Sequence, residues 1–217
     1  MITVRPLILT MRLMIIVATA HGQSFEQLHE KATLLIGQEK YKEALVILNR
    51  LLAETPDNSN YRYNRAIALI NTGDYQLAIR DLTLLAEDDP EYDEYHYLLG
   101  DAYEHLDSLA TAAKCYSKSI SLNADYFLYF FKRGTVLLKL GEYTNAIKDF
   151  DRALRINPEH HNSLHNRGLC YYKIGLKEKA CDDWCRALLL GNTVSASHLE
   201  KNCKHYPEPC ILKSGDK

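Results

Sequence analysis

The 217 residues are 47% hydrophobic and 25% charged with 6 prolines, which excludes a disordered tail protein. Of 26 bases and 28 acids, Arg5 and Arg12 fall in a leader that holds no acid, so the rest of the chain carries a net charge of −4. That balance argues against nucleic acid as a partner, because such binding needs clustered lysine and arginine to displace counterions.

The leader comes first. Leu7 to Ala20 is apolar except for Thr10, Arg12 and Thr19, and it ends in the small-residue run Ala18, Thr19, Ala20, His21, Gly22. Residues 1–22 therefore read as a secretory signal peptide cleaved near Gly22, which predicts a periplasmic, cell-envelope or secreted protein. Arg12 interrupts the apolar run, and a start at Met11 would place it in a basic opening before Leu13 to Ala20. A leader that is not a signal would instead leave the chain in the cytoplasm. No direct membrane span is expected, since crossing a bilayer takes about 20 apolar residues.

From Phe25 onward the sequence repeats. A shift of 34 residues aligns Ala44, Ala78, Ala112, Ala146 and Ala180, and also the small residues Ala32, Ala66, Gly100, Gly134 and Gly168. The same shift aligns the large residues Leu48, Leu82, Tyr116, Phe150 and Trp184. Two small columns let two helices approach closely, and the large column fills the gap beside them, so each unit reads as a helical hairpin. The units span 25–58, 59–92, 93–126, 127–160 and 161–194. Gly73, Gly141 and Gly175 mark the turn inside a hairpin, where the chain needs a left-handed residue. Pro56, Pro90 and Pro158 close three of the units. The third unit departs with Asp107 for the glycine and Ala124 for the proline, and the fifth has Asn192 for the proline.

The series Phe130, Arg133, Gly134, Leu137, Gly141, Tyr143, Ala146, Phe150, Ala153 and Pro158 resembles the tetratricopeptide repeat family. That resemblance covers residues 25–194 and implies an all-α fold, a right-handed superhelical solenoid of five hairpins. Such units contact only their neighbours, so the end of the stack needs a cover. Residues 195–206, with Ala196, Leu199 and Cys203 roughly on one face, read as a C-terminal capping helix that Pro207 and Pro209 end, and 207–217 as a tail, polar from Lys213.

In this family a stripe at positions 2, 5, 9 and 12 of each unit lines a concave groove that holds peptides. The offsets follow the helical period and place the stripe on one side of the first helix. Position 5 carries a ring in every unit: His29, Tyr63, Tyr97, Phe131 and His165. Around these rings lie Asn60, Ile67, Glu94, Asp101, Glu104, Leu128, Thr135, Leu138, Asn162 and Leu169. Such rings either anchor a partner or pack helix against helix. Between Asp81 and Ala113 there are ten acids and no Lys or Arg, which forms either a solvated acidic face or a groove centre suited to a partner with basic and apolar residues. The carboxylate clamp of the family's chaperone-binding branch needs bases where this chain has Tyr97 and Asp101.

The sequence holds six cysteines. The terminal segment from Ala180 through Cys203 is similar to the last unit of exported bacterial repeat proteins, and that resemblance implies a Cys181–Cys203 disulfide. Cys185 and Cys210 could pair or stay free, and Cys115 and Cys170 read as small buried hydrophobes. His160, His161 and His165, or Cys203 with His205, do not make a four-ligand zinc spacing, so no metal or cofactor is expected. The glycines all have a packing or turn explanation, no nucleophile-base or phosphate-loop motif remains, and the chain reads as non-enzymatic. The reading is a protein-interaction scaffold whose concave groove takes a peptide or helix. The alternatives are a structural subunit of an envelope or secretion assembly, and an intracellular co-chaperone or adaptor.

Overall fold

The computed structural model describes residues 24–203 and Cys210. The leader, both candidate start residues and the remainder of the tail lie outside the described residues. Every regular element among the described residues is an α-helix, and the helices fall into two compact units divided between Thr72 and Gly73.

The first unit holds α1 (Phe25–Gly37), α2 (Tyr41–Glu54) and α3 (Ser59–Thr72). The Ser24 hydroxyl accepts from the Gln27 backbone N–H and the Gln27 side chain accepts from the Ser24 N–H, a reciprocal cap that fixes where α1 begins. Each helix packs on the next, and α1 also touches α3. Leu28, Ala32, Leu35, Ala44, Leu48 and Leu51 form the core between them.

The second unit runs through α4 (Tyr75–Asp88), α5 (Asp93–His105), α6 (Leu109–Leu122), α7 (Phe127–Lys139) and α8 (Tyr143–Ile156). It continues through α9 (His161–Lys173), α10 (Lys177–Leu189) and α11 (Val194–Asn202). Again each helix packs on its successor in the chain.

The aligned columns explain this packing. All five alanines of the column from Ala44 to Ala180 are 0% exposed, as are Leu48, Leu82, Tyr116, Phe150 and Trp184. A Cβ added to Gly100 would sit 2.6 Å from the Tyr116 ring, one on Gly134 2.9 Å from Phe150, and one on Gly168 2.6 Å from Trp184. The small residue of the first helix and the large residue of the second are thus one steric device: the ring fills the space that the glycine vacates.

The hairpin turns need a left-handed residue. Gly73, Gly141 and Gly175 supply φ of 88°, 80° and 84°. Where the sequence departs from glycine the geometry does not: Glu39 adopts φ 59° and Asp107 φ 56°. Asn192, in the place of a closing proline, is buried, and its side-chain carbonyl accepts from the Ser195 backbone N–H at 3.1 Å, in the first turn of α11. Helix α11 ends at Asn202, with Cys203 just beyond it.

Candidate functional site

Within each unit the first helices of the repeats carry the candidate site, and its polar chemistry starts with side chains at position 6. In the first unit the Asn64 amide donates to Thr33 Oγ1 at 3.2 Å and lies 2.7 Å from His29 Nε2. In the second unit Lys132 donates to Asp101 at 2.6 Å, and the Asn166 amide donates to Thr135 Oγ1 at 3.2 Å. The bonds to Thr33, Asp101 and Thr135 each join position 6 of one repeat to position 9 of the preceding one, a step of 31 residues, while His29 stands at position 5. Sequence comparison at a 34-residue shift does not reveal it; alignment of polar residues at a 31-residue shift would have.

The acidic stretch is consequently not bare. Asp101 holds Lys132, and Glu104 accepts from Lys139 at 2.7 Å and from the Tyr116 hydroxyl at 3.1 Å. These lysines come from α7, outside the acidic run itself. Glu94 is half-buried and accepts from the Tyr92 hydroxyl at 3.3 Å. Of the acids on the stripe, Asp101 and Glu104 therefore act first within the molecule, as intramolecular ion pairs between repeats.

The rings at position 5 are half-buried and are held from behind. His29 lies against Tyr61 with centroids 4.8 Å apart. Tyr97 contacts Tyr116 at 5.9 Å and Tyr129 at 5.3 Å, and burial, reinforced by Asp101, pushes its phenol well above the usual range. Phe131 meets His160 edge-on at 4.7 Å and Phe150 at 6.3 Å. The His165 Nδ1 lies 2.8 Å from the Ser195 hydroxyl, and burial with the nearby His198 lowers its pKa to about 4. These rings therefore do pack helix against helix, and each remains partly exposed. Tyr63 and Leu128 are half-buried too, whereas Asn60 and Asn162 are exposed.

A second set of polar links braces the second helices. Arg133 donates bidentately to Asp149 at 2.7 and 2.8 Å and reaches Ser117 at 3.0 Å. Arg167 repeats this with Asp183 at 2.7 Å and adds Asp151 at 2.5 Å. Each arginine thus clamps two successive second helices, and fork-to-fork geometry suits guanidinium and carboxylate. Burial of Asp149 and Asp183 makes the pairing necessary, since an unpaired buried charge is costly.

The cysteines gather at the C-terminal end. Cys181 is bonded to Cys203 and Cys185 to Cys210, with Cα atoms 5.9 and 5.4 Å apart. Cys170 is buried, but Cys115 is only partly so, which corrects its reading as a buried hydrophobe. His160 and His165 bond to Ser163 and Ser195 hydroxyls, and no group of three metal-ligating side chains occurs among the described residues. No described helix is long and apolar enough to cross a membrane.

A run of helical hairpins at a fixed step, with small and large residues paired across each, defines a helical repeat protein. Three tetratricopeptide repeat models match, over residues 35–102, 93–126 and 128–160, and the chain belongs to the tetratricopeptide repeat family. Among solved structures it is similar to MamA, with a TM-score of 0.68 and 23% identity over 80% of this chain and 97% of that one. The MamA RS-1 ArsTM double mutant gives a TM-score of 0.72 at 16% identity over 79% and 96% of the two chains. YrrB, described as a TPR protein with an unusual peptide-binding site, gives 0.68 at 19% identity over 82% and 98%. At these identities the likeness is one of fold. No curated protein matches the chain.

Proposed function

We propose that this chain is a non-catalytic scaffold that holds a peptide or helix of a partner protein against the first-helix face of its repeats. The observation that carries the reading is the set of half-buried rings, Tyr97, Phe131 and His165, each fixed on one side by the hairpin behind it. A ring already immobilised loses little entropy on binding, so its exposed side is a suitable anchor. YrrB, a fold relative, has a peptide-binding site by its description, which supports the same use here. Because Lys132 and Lys139 already pair with Asp101 and Glu104, apolar contact contributes more to such a surface than basic residues in the partner would.

Selection of displayed peptides on the full chain tests this. The selected peptides should bind Leu128→Glu and Glu94→Arg variants at least about tenfold more weakly, as expected for loss of one good contact, while the melting temperature stays put, because Glu94 bonds only at the surface, to the exposed Tyr92. Peptides that bind both variants as tightly as wild type would overturn the groove reading.

We further propose that the protein is exported. Two disulfides in one terminal segment suit an oxidising compartment, as does the leader pattern. Sequencing the N-terminus of the mature protein tests export, and retention of Met1 or Met11 would contradict it.

A further inference from the structure

A cleft of about 560 Å³ opens between α6 and α8, away from the first-helix stripe, lined by Lys114, Ser117, Arg133, Asn145, Lys148 and Asp149. Leu137 and Ala113 add apolar wall. Lys114 and Lys148 are exposed, and neither has an ion pair among the described residues. The basic side chains of this wall thus exceed its single acid, in a chain whose net charge is −2.

The next repeat shows what the same place looks like when the protein fills it. One step of 34 residues carries Ser117 to Asp151, Leu137 to Tyr171 and Lys148 to Asp182. There Arg167 has two carboxylates, Asp183 and Asp151, and the Tyr171 ring lies 5.7 Å from its guanidinium and 5.5 Å from the Lys179 ammonium. Arg133 has one carboxylate, and a hydroxyl where the second would be. A leucine stands where the ring would be. The earlier cleft therefore lacks a carboxylate and an aromatic ring that its neighbour supplies internally, and it has Lys148 where its neighbour has Asp182, while Lys114 and Asn145 correspond to Lys148 and Lys179, so the neighbour's bases are balanced by acids and those of the cleft are not.

We propose that the cleft between α6 and α8 is a second peptide-binding site, which takes an acidic side chain adjacent to an aromatic one from a partner protein. The carboxylate meets Arg133, Lys114 and Lys148, and the ring lies on Leu137, so the ligand reproduces what Asp151 and Tyr171 do one repeat later. Charge complementarity and charge-assisted hydrogen bonding favour this occupant. The site is independent of the first-helix face, so either can fail alone.

The probe is a capped short peptide with one tyrosine beside one aspartate, titrated into the 15N-labelled full chain. Amide shifts should cluster in 113–117 and 145–149. Ser117→Asp and Leu137→Tyr copy the neighbouring repeat into the cleft, and each should weaken binding about tenfold, the effect of one hydrogen bond to a charged group, without lowering the melting temperature. A peptide with asparagine for aspartate should bind about tenfold more weakly, and so should one with alanine for tyrosine. Shifts confined to the first-helix face, unchanged affinity of the Ser117→Asp, Leu137→Tyr double variant, or equal binding of the asparagine peptide would each overturn the proposal. So would inorganic phosphate bound as tightly as the peptide, which would make this an anion site instead. Should either filling variant fail to fold, Lys148→Asp, again the neighbour's own residue, gives the same readout.

Discussion

Gly168 shows how a single residue sets the spacing of a hairpin. A methyl group there would meet the Trp184 indole at 2.6 Å and the Ala180 carbonyl at 3.2 Å, and neither can yield because Trp184 is fully buried and Ala180 O belongs to the backbone. Gly168→Ala should therefore destabilise the chain by about 1–3 kcal/mol, the usual penalty of overpacking, despite alanine's better helix propensity. Chemical denaturation measures it, and an unchanged midpoint would mean that α9 and α10 are not held in contact there. Such steric columns were legible in the sequence because each depends on residues in fixed register within one hairpin: alanine, glycine and tryptophan recur at the step of the fold itself. The polar links were not. Lys132 finds Asp101 and Lys139 finds Glu104 at steps of 31 and 35 residues, which depend on how successive hairpins are staggered, a quantity no single repeat encodes. For the same reason the acids between Asp81 and Ala113 read in sequence as a solvated acidic face or as a groove centre for a basic partner, although Asp101 and Glu104 pair with lysines of the following repeat. At Asp107 the sequence signal was absent but the demand was not, because the turn takes a left-handed backbone from whichever residue stands there.

Helix α11 is the element on which chemistry and stability meet. It covers Trp184 with Leu199, beside Cys203 just past its end, and two disulfides of 22 and 25 residues' separation tie Cys203 and Cys210 to α10. Two histidines meet at its inner side, His198 from α11 itself and His165 from α9. The His165 imidazole faces the Ser195 hydroxyl and the His198 ring, whose own centroid lies 4.8 Å from that of Trp184. Burial lowers the pKa of both imidazoles, that of His165 to about 4, with His198 as the second cause for His165 and Lys201 for His198. Folded His165 is thus neutral where the unfolded residue would take up a proton. Its contribution is fully present above the ordinary value of 6.5 and is lost as pH falls from there toward about 4. Thermal melts of wild type and His165→Asn, compared from neutral pH down to that value, isolate this from the carboxylates that titrate nearby. The gap between the two proteins should narrow or reverse on acidification, and a gap independent of pH would show that His165 does not titrate between those limits.

On the scale of the molecule, the packing within each unit links helices that are adjacent in the chain, and α1 with α3 or α7 with α9 one step further. Stability in such an array is a sum of hairpin and neighbour terms, so damage should spread by proximity and not all at once. Deleting every residue after Asn192 removes α11 and the partners of both disulfides, and uncovers Trp184, now fully buried. Loss of burial at about 1.5–3 kcal/mol for each large apolar side chain, together with an exposed indole and aliphatic surface, should lower the melting temperature and cause self-association. Reduction of the intact chain separates the two causes: it opens the disulfides, worth about 3 kcal/mol for loops of this length, but leaves Leu199 able to cover Trp184. The truncated chain should therefore associate where the reduced one does not. Amide hydrogen exchange should show protection lost in α9 and α10 and retained in α5 and α6, because neither of the latter packs extensively on α9 or α10. A truncated chain that stays monomeric and melts with the intact protein would mean that α11 is an appendage and not a cover. Uniform loss of protection from α5 to α10 would instead mean that the second unit folds as one body, against the neighbour-by-neighbour account.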